Sequence, residues 1–182
     1  MALYFLRHGE SQANVKRVFA GQKDDTPLTD LGIKQAKEAG NELKNTEINK
    51  IISSRLKRAF DTSIEVAKSI ELDESSIITD DRILEYDMGE LTGTPIRKLS
   101  SRELTTAQGA EDPTEFRNRI INFLNEYKNS KENILIVSHA GVGRAIEAAK
   151  QNLNPSDFYN LPPYPNAHAL KLNLDWLKNK QY

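Results

Sequence analysis

Leu3-Tyr4-Phe5-Leu6-Arg7-His8-Gly9-Glu10-Ser11 opens the sequence with a short apolar run that breaks abruptly into a cation, an imidazole and a glycine. The run has the length and residue types of a buried strand. In open α/β sheets, ligands bind just past the carboxyl ends of the strands, so Arg7 and His8 stand where chemistry is expected. Gly9 then lets the backbone turn or approach a ligand closely. Arginine is a planar fork suited to phosphate or carboxylate. Histidine is the side chain best placed to act as nucleophile or proton carrier near neutral pH. The pair points to a phosphoryl group.

The same pattern recurs downstream. Ile48 to Ile52 reads as a second strand ending in Ser53 and Ser54. Behind it Leu56, Ala59, Phe60, Ile64, Ala67 and Ile70 share one helix face, with Ser54 as the expected cap. Asn133-Ile134-Leu135-Ile136-Val137-Ser138 is almost uninterruptedly apolar, as a parallel strand covered on both faces should be. A central place in the sheet is expected for it. His139, Ala140 and Gly141 follow, then a small-residue helix over Val142 to Lys150. Thr29 caps a helix reaching Leu43, with Ile33, Ala36, Gly40 and Leu43 at helical spacing. Ile77 and Ile78 mark a short strand, and Glu85 to Pro95 is a loop. Asp112 and Pro113 start a helix presenting Phe116, Ile120, Phe123, Leu124 and Tyr127. The prolines of 161–166 exclude a helix interior. Leu170, Leu172 and Leu174 then alternate with polar residues as an edge strand should. Strands separated by helices predict an α/β fold: a three-layer α/β/α sandwich around a mainly parallel sheet with an antiparallel edge strand. Length and the lack of a polar linker predict one domain over residues 1–182.

Composition narrows the partners. Lys and Arg number 25 against 26 Asp and Glu, a formal charge of -1, so there is no global basic field to collect nucleic acid. Any anion site must be local. The absence of Cys excludes disulfides, thiolate metal sites and a cysteine nucleophile. No apolar run approaches membrane-spanning length, and the first strand begins at once, leaving no room for a signal peptide. A cytoplasmic protein without a membrane partner is expected.

Three strand ends deliver polar groups: Arg7 and His8, the Ser53 to Arg58 segment, and His139. Parallel strands bring these ends to one edge. Helix amide groups aim at the same edge and favour an anion there. Arg55, Lys57 and Arg58 put three cations at a helix start, where the dipole disfavours positive charge, a local conflict that hints at a ligand. Long cations extending into solvent would be the plain alternative.

Four ordered motifs now stand out: Arg7-His8-Gly9-Glu10-Ser11 with Asn14; Ser54, Leu56, Arg58, Ala59 and Thr62; Glu85 with Gly89 and Gly93; and Ser138-His139-Ala140-Gly141. They resemble the histidine phosphatase superfamily, in its phosphoglycerate mutase-like branch, over about residues 3 to 175. The resemblance implies that His8 is the nucleophile that becomes phosphorylated. It makes Arg7, Arg58 and His139 the groups that hold the phosphoryl oxygens and Glu85 the proton donor. Arg58 rather than Arg55 is carried over because it directly precedes Ala59. Asn14, Gly21, Gln22 and Ala140 fall at positions that line the pocket. No metal and no cofactor are implied; the partners are a small phosphorylated metabolite and inorganic phosphate as product.

Elementary chemistry agrees with those roles. Flanking Arg7 and Arg58 disfavour imidazolium, keeping His8 a neutral nucleophile. Two guanidinium forks and an imidazole donor stabilise a transferring phosphoryl group. Glu85 would protonate the leaving alkoxide and then activate water. Its neighbours Asp80, Asp81 and Asp87 leave a solvated acidic loop as the alternative. His168 has no motif support. The leading expectation is a metal-independent phosphomonoesterase acting through phosphohistidine. The first alternative is a cofactor-dependent phosphoglycerate mutase. Only 54 positions separate Glu85 from His139, whereas mutases of this family are longer there and use the insertion to cover the substrate, so water entry is favoured. Arg97, Lys98 and Arg102 are candidates for a substrate carboxylate. The second alternative is a non-catalytic phospholigand-binding module on the same fold.

Overall fold

A computed structural model describes residues 2–179 of the chain. Its centre is a five-stranded sheet of β1 (Leu3–Arg7), β2 (Lys50–Ser53), β3 (Ile77–Thr79), β4 (Ile134–Ser138) and β5 (Ala169–Lys171), in the order β3-β2-β4-β1-β5. β1 runs parallel to β4, and β2 parallel to both β4 and β3, while β5 lies antiparallel against β1. β4 is the middle strand and every residue in it is buried. The α-helices are α1 (Gln12–Lys16), α2 (Asp30–Leu43), α3 (Lys57–Ser69), α4 (Ser101–Thr105), α5 (Pro113–Tyr127) and α6 (Ala140–Lys150), joined in places by short 3-10 turns.

Alternation along the strands builds the two outer layers. Leu3, Phe5, Ile52, Ile134 and Ile136 point to the side covered by α5 and α6, joining Phe116, Ile120, Phe123, Val142 and Ile146. Leu6, Ile51, Leu135 and Val137 point to the other side, against Ala39 and Leu43 of α2 and Ala59, Val66 and Ala67 of α3. A strand buried on both faces must be apolar at every position, which is why 134–138 reads as a continuous run. Each fully buried Leu, Ile or Phe contributes roughly 1.5–3 kcal/mol.

Several boundaries differ from the sequence expectation. The second strand begins at Lys50, because Glu47 turns in a left-handed conformation and only from Asn49, whose amide donates to the Asn133 carbonyl, does the chain run beside β4. α6 begins at Ala140 rather than Val142. Ser54 does not cap α3: Leu56 is the N-cap residue and carries no side-chain cap bond, while the Lys57 amide donates to Asp25 Oδ1 at 2.6 Å. β5 stops at Lys171, and Leu172 and Leu174 pack onto the core beyond it. Trp176 is partly buried against the same cluster, and Tyr182 lies outside the described residues. Among the described residues no helix is long and apolar enough to cross a membrane.

Candidate active site

The carboxyl ends of β1, β2 and β4 end side by side, and beyond them lies a cavity of about 370 Å³ lined by Arg7, His8, Arg58 and Glu85, with His139 not among the lining residues. Ladder hydrogen bonds continue past the strands and fix the backbone there. His8 N donates to the Ser138 carbonyl and Ser54 N to the Val137 carbonyl, each at 2.9 Å. Gly9 packs so closely on α2 that a β-carbon would strike the Gly32 carbonyl oxygen, so glycine is required for the turn after His8. Asn166 Nδ2 donates to the His8 carbonyl at 2.7 Å. The loop carrying His8 is thereby held from several directions.

His8 is 3 % exposed, and its Nδ1 lies 2.7 Å from the Gly9 carbonyl oxygen. A carbonyl only accepts, so Nδ1 carries the proton and Nε2 of the neutral ring keeps a free lone pair. His139 is fully buried; its Nε2 is 2.7 Å from Ser54 Oγ, and its Nδ1 is buried with no protein partner. The two rings lie 5.3 Å apart. Ser54, expected as a helix cap, thus serves as a tether for His139, while its hydroxyl also accepts from Leu56 N at 3.3 Å.

The cations of the second motif separate as successive residues fan around the helix start. Arg55 is exposed and pairs with Asp81, and Lys57 pairs with Asp61. Arg58 alone turns inward; it is 1 % exposed and donates to the carbonyls of Asp24 and Gly21, each at 2.9 Å. Arg7 donates to the Tyr164 carbonyl at 2.9 Å and has a buried, unpartnered Nε. Among the described residues neither arginine has a carboxylate within ion-pair distance. Glu85 faces them as the acidic side chain of the cavity. Its Oε1 accepts from Tyr86 N at 2.9 Å and its Oε2 from Gly141 N at 3.2 Å, in the first turn of α6. Glycine at 141 lets that carboxylate approach the helix start, since a β-carbon there would push the Glu85 side chain aside.

Of the other expected residues, Asn14, Gly21 and Ala140 line the cavity. Asn14 is also the third residue of α1, a helix not read from the sequence, where its side chain completes a capping box with Ser11. Gln22 stands behind the wall, its amide spent on the Glu85 carbonyl at 2.8 Å. Arg97 reaches the cavity, whereas Lys98 and Arg102 are exposed outside its lining, and so is His168. Sequence reading missed Arg144, Tyr159, and the apolar wall of Phe19, Met88, Leu99 and Leu104. Arg144 is visible only once α6 starts at Ala140, which puts it one turn above the motif on the same face.

Burial lowers the pKa of both histidines well below the ordinary value, and Arg58 is the largest neighbouring charge acting in the same direction on each. In the unfolded chain each titrates near pH 6.5. Below that pH the unfolded state binds more protons, so stability falls as pH drops from 6.5 towards the folded-state values. The slope approaches roughly 1.4 kcal/mol per pH unit for each histidine. Above 6.5 the two contribute no slope. Urea unfolding in phosphate-free buffer should show a midpoint lower at pH 5.5 than at 7.5, with the drop reduced in His139→Asn. An equal drop in the two proteins would contradict the assignment.

Residues 3–178 match the model of the histidine phosphatase superfamily, branch 1. Over 96 residues, the chain is 41% identical to a 2,3-bisphosphoglycerate-dependent phosphoglycerate mutase of Thermoplasma acidophilum, covering 53% of this chain and 46% of the mutase. The chain therefore spans about half the length of the mutases it matches. It is 30% identical over 172 residues to phosphoserine phosphatase 1 of Hydrogenobacter thermophilus, covering 87% of this chain and 80% of that one. A mycobacterial glucosyl-3-phosphoglycerate phosphatase, solved in complex with VO3, superposes with a TM-score of 0.80 at 28% identity, over 94% of this chain and 92% of that one.

Proposed function

Because the chain belongs to the histidine phosphatase superfamily, we propose that it is a metal-independent phosphomonoesterase that hydrolyses a small phosphate ester through phosphohistidine on His8. The observation that carries this reading is a neutral imidazole with a free Nε2, set between two inward-turned arginines anchored by carbonyls. Guanidinium groups held here with no carboxylate at ion-pair distance are costly, and a phosphoryl dianion offsets them.

The steps follow from the positions. Arg7 and Arg58 take two phosphoryl oxygens. With the Ser54 hydroxyl donating to His139 Nε2, the unpartnered Nδ1 carries a proton and donates to the phosphoryl group as well. His8 Nε2 attacks phosphorus and the P–O bond to the alcohol breaks. Glu85, protonated at this stage, hands its proton to the departing oxygen. Its carboxylate then accepts a proton from the water that attacks phosphohistidine, giving inorganic phosphate and free His8. Charge on the phosphoryl oxygens is met by fixed donors throughout, the task a metal ion performs in other phosphoryl-transfer sites.

Hydrolysis is preferred over return to a phosphoglycerate for two reasons. The segment from Glu85 to His139 is short, and the relatives aligned along most of their length include a phosphoserine phosphatase. The 41% match to a mutase keeps mutase activity as the second reading. Initial rates with p-nitrophenyl phosphate in excess chelator, beside a coupled assay converting 3-phosphoglycerate, separate the two. Chelator-resistant hydrolysis with little mutase turnover is expected. Activity lost on chelation, or mutase turnover far above hydrolysis, would overturn the proposal.

A further inference from the structure

We propose that Arg144 receives a second anionic group of the substrate, so that the pocket selects phosphate esters that also carry a carboxylate or a second phosphate. This rests on the phosphoryl site read above. Ala140, Gly141 and Arg144 lie on one face of α6, and all three line the cavity that contains His8. Arg144 is partly buried. Its Nε donates to the Leu161 carbonyl at 2.8 Å, and its guanidinium lies 5.3 Å from the Tyr159 ring centroid. Those two contacts fix the fork and leave its terminal nitrogens without a protein partner among the described residues.

Three other arginines are answered by acids. Arg82 pairs with Asp80 and Glu126, Arg119 with Glu111, and Arg55 with Asp81. Arg144 shares with Arg7 and Arg58 a carbonyl anchor and, among the described residues, no ion pair. A phosphoryl dianion already meets Arg7 and Arg58, so the third guanidinium is surplus to a simple monoester. Burial holds its pKa below the ordinary value, the cost of a charge that an arriving anion offsets. Phe19, Met88, Leu99 and Leu104 also line the cavity and offer no charge to a second acid. Arg97 is the less suitable receptor, being exposed and acting on Glu103 nearby.

The rival role for Arg144 is a strut between α6 and the 161–165 segment. Binding to the His8→Ala protein, which cannot form phosphohistidine, separates the two by calorimetry on matched ligands. Phosphoserine is compared with phosphoethanolamine, and fructose 1,6-bisphosphate with fructose 6-phosphate. The doubly acidic member of at least one pair is expected to bind about ten-fold tighter or more. That ratio should fall to roughly two- to three-fold on adding Arg144→Met or, should that variant fail to fold, Arg144→Gln. Preference confined to the first pair identifies a carboxylate, and to the second pair a phosphate. No preference in either pair, or equal weakening of both members, would overturn the proposal and leave Arg144 a strut. If inorganic phosphate and all four esters fail to bind even with Arg144 intact, the phosphoryl-site reading fails first, and the proposal with it.

Discussion

Replacing His8 by alanine is expected to lower ester hydrolysis by roughly 10⁴-fold or more, with the fold and inorganic phosphate binding retained. The loss follows from the tautomer: Nδ1 is committed to the Gly9 carbonyl, so Nε2 is the lone pair that meets phosphorus. His139 is poorly placed to replace it, because its ring is tethered through Nε2 to Ser54 in a fully buried position. Phosphate binding survives because Arg7 and Arg58 rest on the carbonyls of Tyr164, Asp24 and Gly21, none of which depends on the imidazole. Initial rates beside a phosphate titration check both halves. A residual rate above about a hundredth of native would show that another group attacks phosphorus.

Glu85→Gln is the second large effect, about 10²- to 10⁴-fold on alkyl phosphates. Glutamine keeps the shape, and its carbonyl oxygen still accepts from the Tyr86 or Gly141 amide. It no longer delivers a proton. The size of the loss should therefore depend on the leaving group. An alkoxide needs the proton to depart, whereas p-nitrophenolate leaves without it, so the phosphorylation step with p-nitrophenyl phosphate should be little affected. Water attack on phosphohistidine also loses its base. With that substrate a burst of p-nitrophenol close to the enzyme concentration is expected, followed by a slow phase. Equal losses for both esters and no burst would reduce Glu85 to a positioning group for α6.

Much of this architecture is written locally. The continuous apolar run of 134–138 places β4 at the centre because a strand covered on both faces has no polar side to show. Arg7 and His8 are legible because a polar break at a strand end has few structural uses. The short helices α1 and α4 escaped, although both carry capping boxes, Ser11 with Asn14 and Ser100 with Glu103. Five residues give no periodicity to read. The role of Ser54 is not local, because the side chain that claims its hydroxyl, His139, lies 85 positions away. The cavity wall from Phe19, Met88, Leu99 and Leu104 is assembled from three separate loops and helices, so no local pattern announces it. Arg144 joins the site only through the fold, which starts α6 at Ala140 and brings 140, 141 and 144 to one cavity.

A phosphoryl group that passes through His8 Nε2 must rest there covalently between the two steps. Mixing the native protein and Glu85→Gln with a phosphorus-labelled aryl phosphate, quenching in alkali and mapping the labelled peptide detects it. An acid-labile, alkali-stable label is expected on His8, more abundant in Glu85→Gln and absent from His8→Ala. Continued turnover with the label on any other residue, or a label that survives His8→Ala, would contradict it.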